Sequence, residues 1–140
     1  MTTAAAAPLP MFEWPVRVYW EDTDAGGIVF YANYLKFFER ARTEWLRAAG
    51  VEQQALRDST GLIFVVAGTQ LRYLAPARLD DLLSITVDPE PAGRASLVVR
   101  QRALRGDTLL CEGEIRIGCV RAADLKPQRL PDSVVAALHP

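Results

Sequence analysis

One long segment of helical period, residues 31–50, stands early in a chain whose remainder is patterned for strands, and that imbalance limits the folds open to it. In YANYLKFFERARTEWLRAAG the apolar residues Tyr34, Phe38, Ala41 and Trp45 recur at spacings of four, three and four, which puts them on one stripe of an α-helix. Gly50 then reads as its C-terminal cap. Lys36, Glu39, Arg40, Arg42 and Glu44 fill the other turns, and charges at these spacings ordinarily solvate an exposed helix face.

Strand patterning surrounds this helix. PVRVYW (15–20) alternates Val16, Val18 and Trp20 with Arg17 and Tyr19, and stops at EDTDAGG, where Asp and Gly favour a turn. A short helix at EQQALRD precedes strands across IFVVAGTQLRYL and LLSITVD; in the second, Leu83, Ile85 and Val87 alternate with Ser84, Thr86 and Asp88. PEPAG (89–93) reads as a break before ASLVVRQRAL. In the last strand, LLCEGEIRIGCV, Leu109, Cys111, Ile115, Ile117 and Cys119 share one face and Glu112, Glu114 and Arg116 the other.

These elements predict an α+β domain over residues 12–140, with a mainly antiparallel sheet of about five strands around one long helix and a frayed tail over residues 1–11. A helix about 10 to 12 Å wide covers five strands only if the sheet curls round it or pairs with another copy, so a homodimer or homotetramer is expected.

With half of its 140 residues hydrophobic, the chain can bury a core without metals or disulfides. A net charge of −1 and a pI near 5.8 lack the basic footprint of nucleic-acid binding. No apolar run approaches the roughly twenty residues that cross a bilayer. Cys111 and Cys119 lie eight apart on one strand, roughly 26 Å, too far to bridge, which fits structural thiols in a reducing cytoplasm.

WEDTDAGGIVFYANY concentrates the chemistry: three carboxylates, two consecutive glycines and the opening of the long helix. Gly26 and Gly27 permit unusual backbone angles and close approach of a ligand. Free amides at the helix start suit an oxyanion, and a nearby carboxylate can attack a carbonyl or take a proton from water. Thioesters match this pair, because the thiolate leaves readily without metal or imidazole. On composition alone, an Asp-rich turn before a helix is more often a capping device.

RVYWEDTDAGGIVFYANYLKFFERARTEWLR resembles the opening of the 4-hydroxybenzoyl-CoA thioesterase family, especially its Tol-Pal-associated acyl-CoA thioesterase branch. The resemblance continues through YLAPARLDDLL to KPQRLP. It implies a hot-dog fold, a sheet wrapped round a central helix, with active sites at a subunit interface. It also implies acyl-CoA thioester hydrolysis, with Asp24 as the catalytic carboxylate, Asp22 shaping the turn, and the Tyr31 main-chain N–H as oxyanion donor. Many members of the branch carry His where this chain has Tyr31, so any imidazole contribution is lost while the backbone donor remains. Arg94, in AGRASL, matches a turn where relatives place basic residues on CoA; Lys126 and Arg129 are further candidates on charge alone.

Two other readings compete. A hot-dog hydratase or dehydratase ordinarily relies on a catalytic His, and the one His here is the penultimate His139. A non-catalytic thioester-binding or scaffold module linked to envelope or lipid-synthesis proteins would not need Asp24. No P-loop and no Cys/His ligand spacing calls for a cofactor or metal.

Overall fold

A computed structural model describes residues 12–138, so the expected tail at 1–11 and His139 lie outside the described residues. β1 (Phe12–Arg17) is followed by two short 3₁₀ turns (Trp20–Asp22 and Tyr31–Asn33), α1 (Tyr34–Ala48) and α2 (Gln53–Thr60). Then come β2 (Leu62–Tyr73), β3 (Leu82–Pro91), β4 (Ser96–Arg105), β5 (Thr108–Arg121) and α3 (Asp132–Leu138). The strands form one antiparallel sheet in the order β1-β3-β4-β5-β2. α1 packs against β3, β1 and β4, which is the hot-dog arrangement that the resemblance implied.

The helix stripe predicted from spacing is buried, and Phe37 and Leu46 join it. Gly50, with φ +85°, takes the left-handed conformation just past the helix end. Leu83, Ile85 and Val87 present the apolar face of β3 to α1 and are 1% exposed or less. Each enclosed side chain of this size contributes about 1.5 to 3 kcal/mol. β5 approaches α1 so closely at Gly113 that an added Cβ would lie 3.0 Å from the Gln70 carbonyl and 3.2 Å from Phe38 Cε2. Glycine there is a seat for the Phe38 ring.

Three local expectations need correction. β1 occupies 12–17 rather than 15–20, and Trp20 leaves the alternation for a 3₁₀ turn, where it is 80% exposed. The backbone turns because the Asp22 carboxylate accepts the Tyr19 N–H. PEPAG is not a break throughout: β3 continues to Pro91, paired with Leu97. The described β1 ladder ends with Phe12 opposite Val87, so Pro89 and Pro91 cost it no hydrogen bond. Arg42 is half-buried rather than part of a solvated face.

Cys111 and Cys119 are free, buried thiols. Burial, with the Glu112 charge adding, pushes Cys111 up to about 12, and burial raises Cys119 as well. Both remain protonated and unreactive.

Candidate active site

Residues 19–33 fold back on themselves as a small clamped hairpin. Asp24 N–H donates to the Ile28 carbonyl at 2.9 Å, Thr23 bridges Val29, and Phe30 N–H donates to the Asp22 carbonyl at 2.9 Å. Gly27 turns the tip with φ +77°, a conformation that disfavours a side chain. Gly26 lies so near the Asp24 carboxylate that a Cβ would come within 3.1 Å of Oδ1.

The two aspartates of the hairpin have opposite surroundings. Asp22 is 3% exposed; its Oδ2 accepts the Tyr19 N–H and its Oδ1 accepts the Asn33 side-chain amide, each at 2.8 Å. That carboxylate is fully used as a clamp between the strand exit and the helix entry. Asp24 is exposed at the tip, and its Oδ1 accepts the Gly26 N–H at 2.8 Å. Its Oδ2 has no partner among the described residues.

At the other end of the hairpin, Tyr31 opens the 3₁₀ turn that runs into α1. Its N–H has no acceptor among the described residues, as the first N–H groups of a helical segment do not. Its carbonyl accepts the Tyr73 hydroxyl at 2.9 Å, and the two rings meet edge-on with centroids 6.2 Å apart. Tyr73, at the end of β2, also lies against Tyr34. Its role was not legible in the sequence, since nothing local links residues 31 and 73.

A second support comes from the segment before β3. Val29 N–H donates to the Ala77 carbonyl at 2.9 Å, Ile28 bridges Arg78, and Tyr34 Oη accepts the Ala77 N–H at 3.3 Å. Asp81 anchors that segment by accepting from the Arg78 N–H at 2.9 Å and from Arg105 Nη1 at 2.8 Å. Partial burial works against its charge, but these two partners hold its carboxyl below the usual range.

The site thus brings Asp24 and Tyr31 into one loop. Arg94 is elsewhere. It sits in the exposed β3–β4 turn, at the opposite end of β3 from residues 77–81, roughly 30 Å away along the strand. Its carbonyl accepts the Leu130 N–H at 2.8 Å, which sets Arg94 beside the segment carrying Arg129. Lys126 and Arg129 are both exposed.

This fold has counterparts among known proteins. Residues 18–138 match the model of the thioesterase-like superfamily. The chain belongs to that superfamily. It is similar to the acyl-CoA thioester hydrolase YbgC of Escherichia coli O6:H1, 49% identical over 90% of this chain and 94% of that protein. The acyl-CoA thioesterase YbgC of Haemophilus influenzae is 43% identical over 91% of this chain and 94% of its own. Among solved structures, a probable thioesterase from Bartonella henselae superposes with a TM-score of 0.80 at 35% identity, covering 85% of this chain and 98% of that one. In this superfamily member, no helix among the described residues is long and apolar enough to cross a membrane.

Proposed function

We propose that the chain hydrolyses acyl-CoA thioesters to the free acid and CoA, with Asp24 as the reacting carboxylate and the Tyr31 N–H as oxyanion donor. Acyl-CoA thioester hydrolase activity is the activity of the superfamily relatives that share nearly its whole length. The observation that carries the residue assignment is a pair of unused groups on one clamped hairpin: Asp24 Oδ2 and the Tyr31 N–H. An ionised oxygen without a partner is a base or nucleophile in waiting. An N–H at a helix start stabilises the negative charge that grows on the thioester oxygen.

The thioester carbonyl carbon then faces Asp24 and its oxygen faces Tyr31. Asp24 either attacks that carbon, expelling CoA thiolate and leaving an anhydride for water to cleave, or deprotonates the attacking water. A single turnover in ¹⁸O-water separates the two: direct attack followed by opening of the anhydride at the Asp24 carboxyl carbon puts the label into Asp24 and leaves the first-turnover acid unlabelled, whereas activation of water by Asp24 puts the label into the acid. Thiol release by purified protein from a panel of short, long and aromatic acyl-CoAs tests the whole reading. Release on at least one chain length supports it, and none on any would favour a scaffold.

Tyr73 holds the donor in place by fixing the carbonyl of Tyr31. Tyr73→Phe keeps the ring contacts and removes one hydrogen bond, so kcat should fall about five- to tenfold with KM and melting temperature nearly unchanged. Equal loss in stability and rate would mean that Tyr73 serves packing alone.

Assembly completes the site in this reading. Among the described residues β2 is the longest free edge, and Val66 and Tyr73 on it are exposed, as are Tyr31 and Leu35 beside it. A second copy pairing there forms the dimer, and Arg94 with Arg129 supplies positive charge for CoA phosphates at the partner's site rather than at its own. The protein acts in the cytoplasm, where its two free thiols stay reduced.

A further inference from the structure

Arg42 is a cation with unused capacity inside a cleft. Its Nη1 donates to Gln101 Oε1 at 2.9 Å. Gln101 is fully enclosed, and its amide nitrogen donates to the carbonyls of Phe38 at 3.0 Å and Thr86 at 3.3 Å, so the oxygen must face Arg42. A guanidinium carries five N–H donors, and no carboxylate among the described residues forms an ion pair with this one. No enclosed side-chain polar atom lacks a partner among the described residues, so the other N–H groups of Arg42 open onto free space.

That space is the cleft between α1 and β2. Two cavities of about 270 and 300 Å³ both reach Glu39, Arg42 and Val66. The second begins at Leu35 and Lys36, on the first turn of α1, and is walled by Thr69 and Ile115. Arg42 lies eleven residues beyond Tyr31, roughly 16 Å of helical rise. Helical side chains lean toward the N-terminus, which brings the guanidinium to roughly 10 to 12 Å from Tyr31. At roughly 1.2 Å per bond, an extended chain of about eight carbons spans that gap.

We propose that Arg42 is a specificity residue that receives an anionic group, of the carboxylate class, at the far end of an acyl chain lying in the α1–β2 cleft. The proposal rests on the Asp24–Tyr31 reading for the position of the thioester end. The lining is apolar along Leu35, Val66 and Ile115, and Lys36 adds a second positive charge. Glu39 opposes without pairing Arg42, and a bidentate carboxylate supplies what Gln101 does not. Burial lowers Arg42 to about 10, with Glu39 opposing that fall, so the group remains charged at neutral pH.

Suberyl-CoA and octanoyl-CoA share eight carbons and differ at the far end in a carboxylate or a methyl. The measured quantity is the ratio of their kcat/KM values in the wild type, Arg42→Met, Arg42→Lys and Glu39→Gln. Arg42→Met should lower the ratio about 10- to 100-fold, mainly through KM for suberyl-CoA, and leave octanoyl-CoA within about threefold. Arg42→Lys should retain part of the preference, and Glu39→Gln should raise it. An unchanged ratio, or equal losses on both substrates, overturns the proposal and leaves Arg42 as a brace for Gln101. Calorimetric binding of free suberate against octanoate reads the same preference without turnover. Arg42-dependent suberate binding by a protein that releases thiol from no acyl-CoA of the panel upholds this site and sinks the catalytic reading, whereas indifference to the carboxylate sinks this one.

Discussion

Asp24→Asn will leave the fold intact and lower thiol release from acyl-CoA by about three orders of magnitude, within the range that a general base or nucleophile supplies. Asparagine keeps the oxygen that accepts the Gly26 N–H at 2.8 Å, so the tip of the hairpin has no reason to change. The lost group is the second, unpartnered oxygen with its charge. Because Asp24 is exposed and makes no ion pair among the described residues, the melting temperature should stay within about 2 °C of the wild type. The decisive reading is kcat at saturating substrate on the best chain length of the panel. A variant that turns over within tenfold of the wild type would remove Asp24 from the chemistry and return the DTD turn to the status of a helix-entry device.

What the sequence revealed, and what it hid, follows the range of the interactions involved. The α1 stripe and the β3 alternation of Leu83, Ile85 and Val87 were legible because each is a local period imposed by a single apolar surface. Asp22 as a turn-shaper was also legible, since its partners Tyr19 and Asn33 lie in the same segment. Trp20 was misread because alternation carries no mark of where a strand gives way to a turn. Its exposure follows from the hydrogen bond that Asp22 makes to the backbone. Arg42 was misread for the opposite reason. Its burial depends on Gln101, 59 residues away, and a charged residue among Glu39, Arg40 and Glu44 offers no local sign of a distant partner. Tyr73 is hidden in the same way, 42 residues from the carbonyl it holds. Arg94 marks a third kind of limit. A resemblance can assign it to CoA, but only the fold shows that it lies at the opposite end of β3 from the segment that supports the Asp24 loop, roughly 30 Å away along the strand.

Asp22→Ala should do what Asp24→Asn does not. The carboxylate is 3% exposed and accepts two hydrogen bonds of 2.8 Å, from the Tyr19 N–H and the Asn33 amide. Truncation leaves both donors in a place with little access to water, and each unsatisfied group costs about 1 to 3 kcal/mol. The combined loss of about 2 to 6 kcal/mol should lower the melting temperature by about 8 to 24 °C. Asp22→Asn should fall between, because its amide oxygen can serve one donor while its NH₂ faces the other. The Asp22 carboxylate joins the strand exit to the turn that leads into α1, so activity should decline along with stability and recover toward low temperature. The activity of Asp24→Asn should not recover on cooling, since its loss is chemical. Two aspartates two positions apart would then separate cleanly in a plot of rate against melting temperature. If Asp22→Ala instead melts within about 2 °C of the wild type, the buried carboxylate is not what closes the loop, and Asp24 must be held by the backbone bonds of the hairpin and the Ala77–Arg78 contacts.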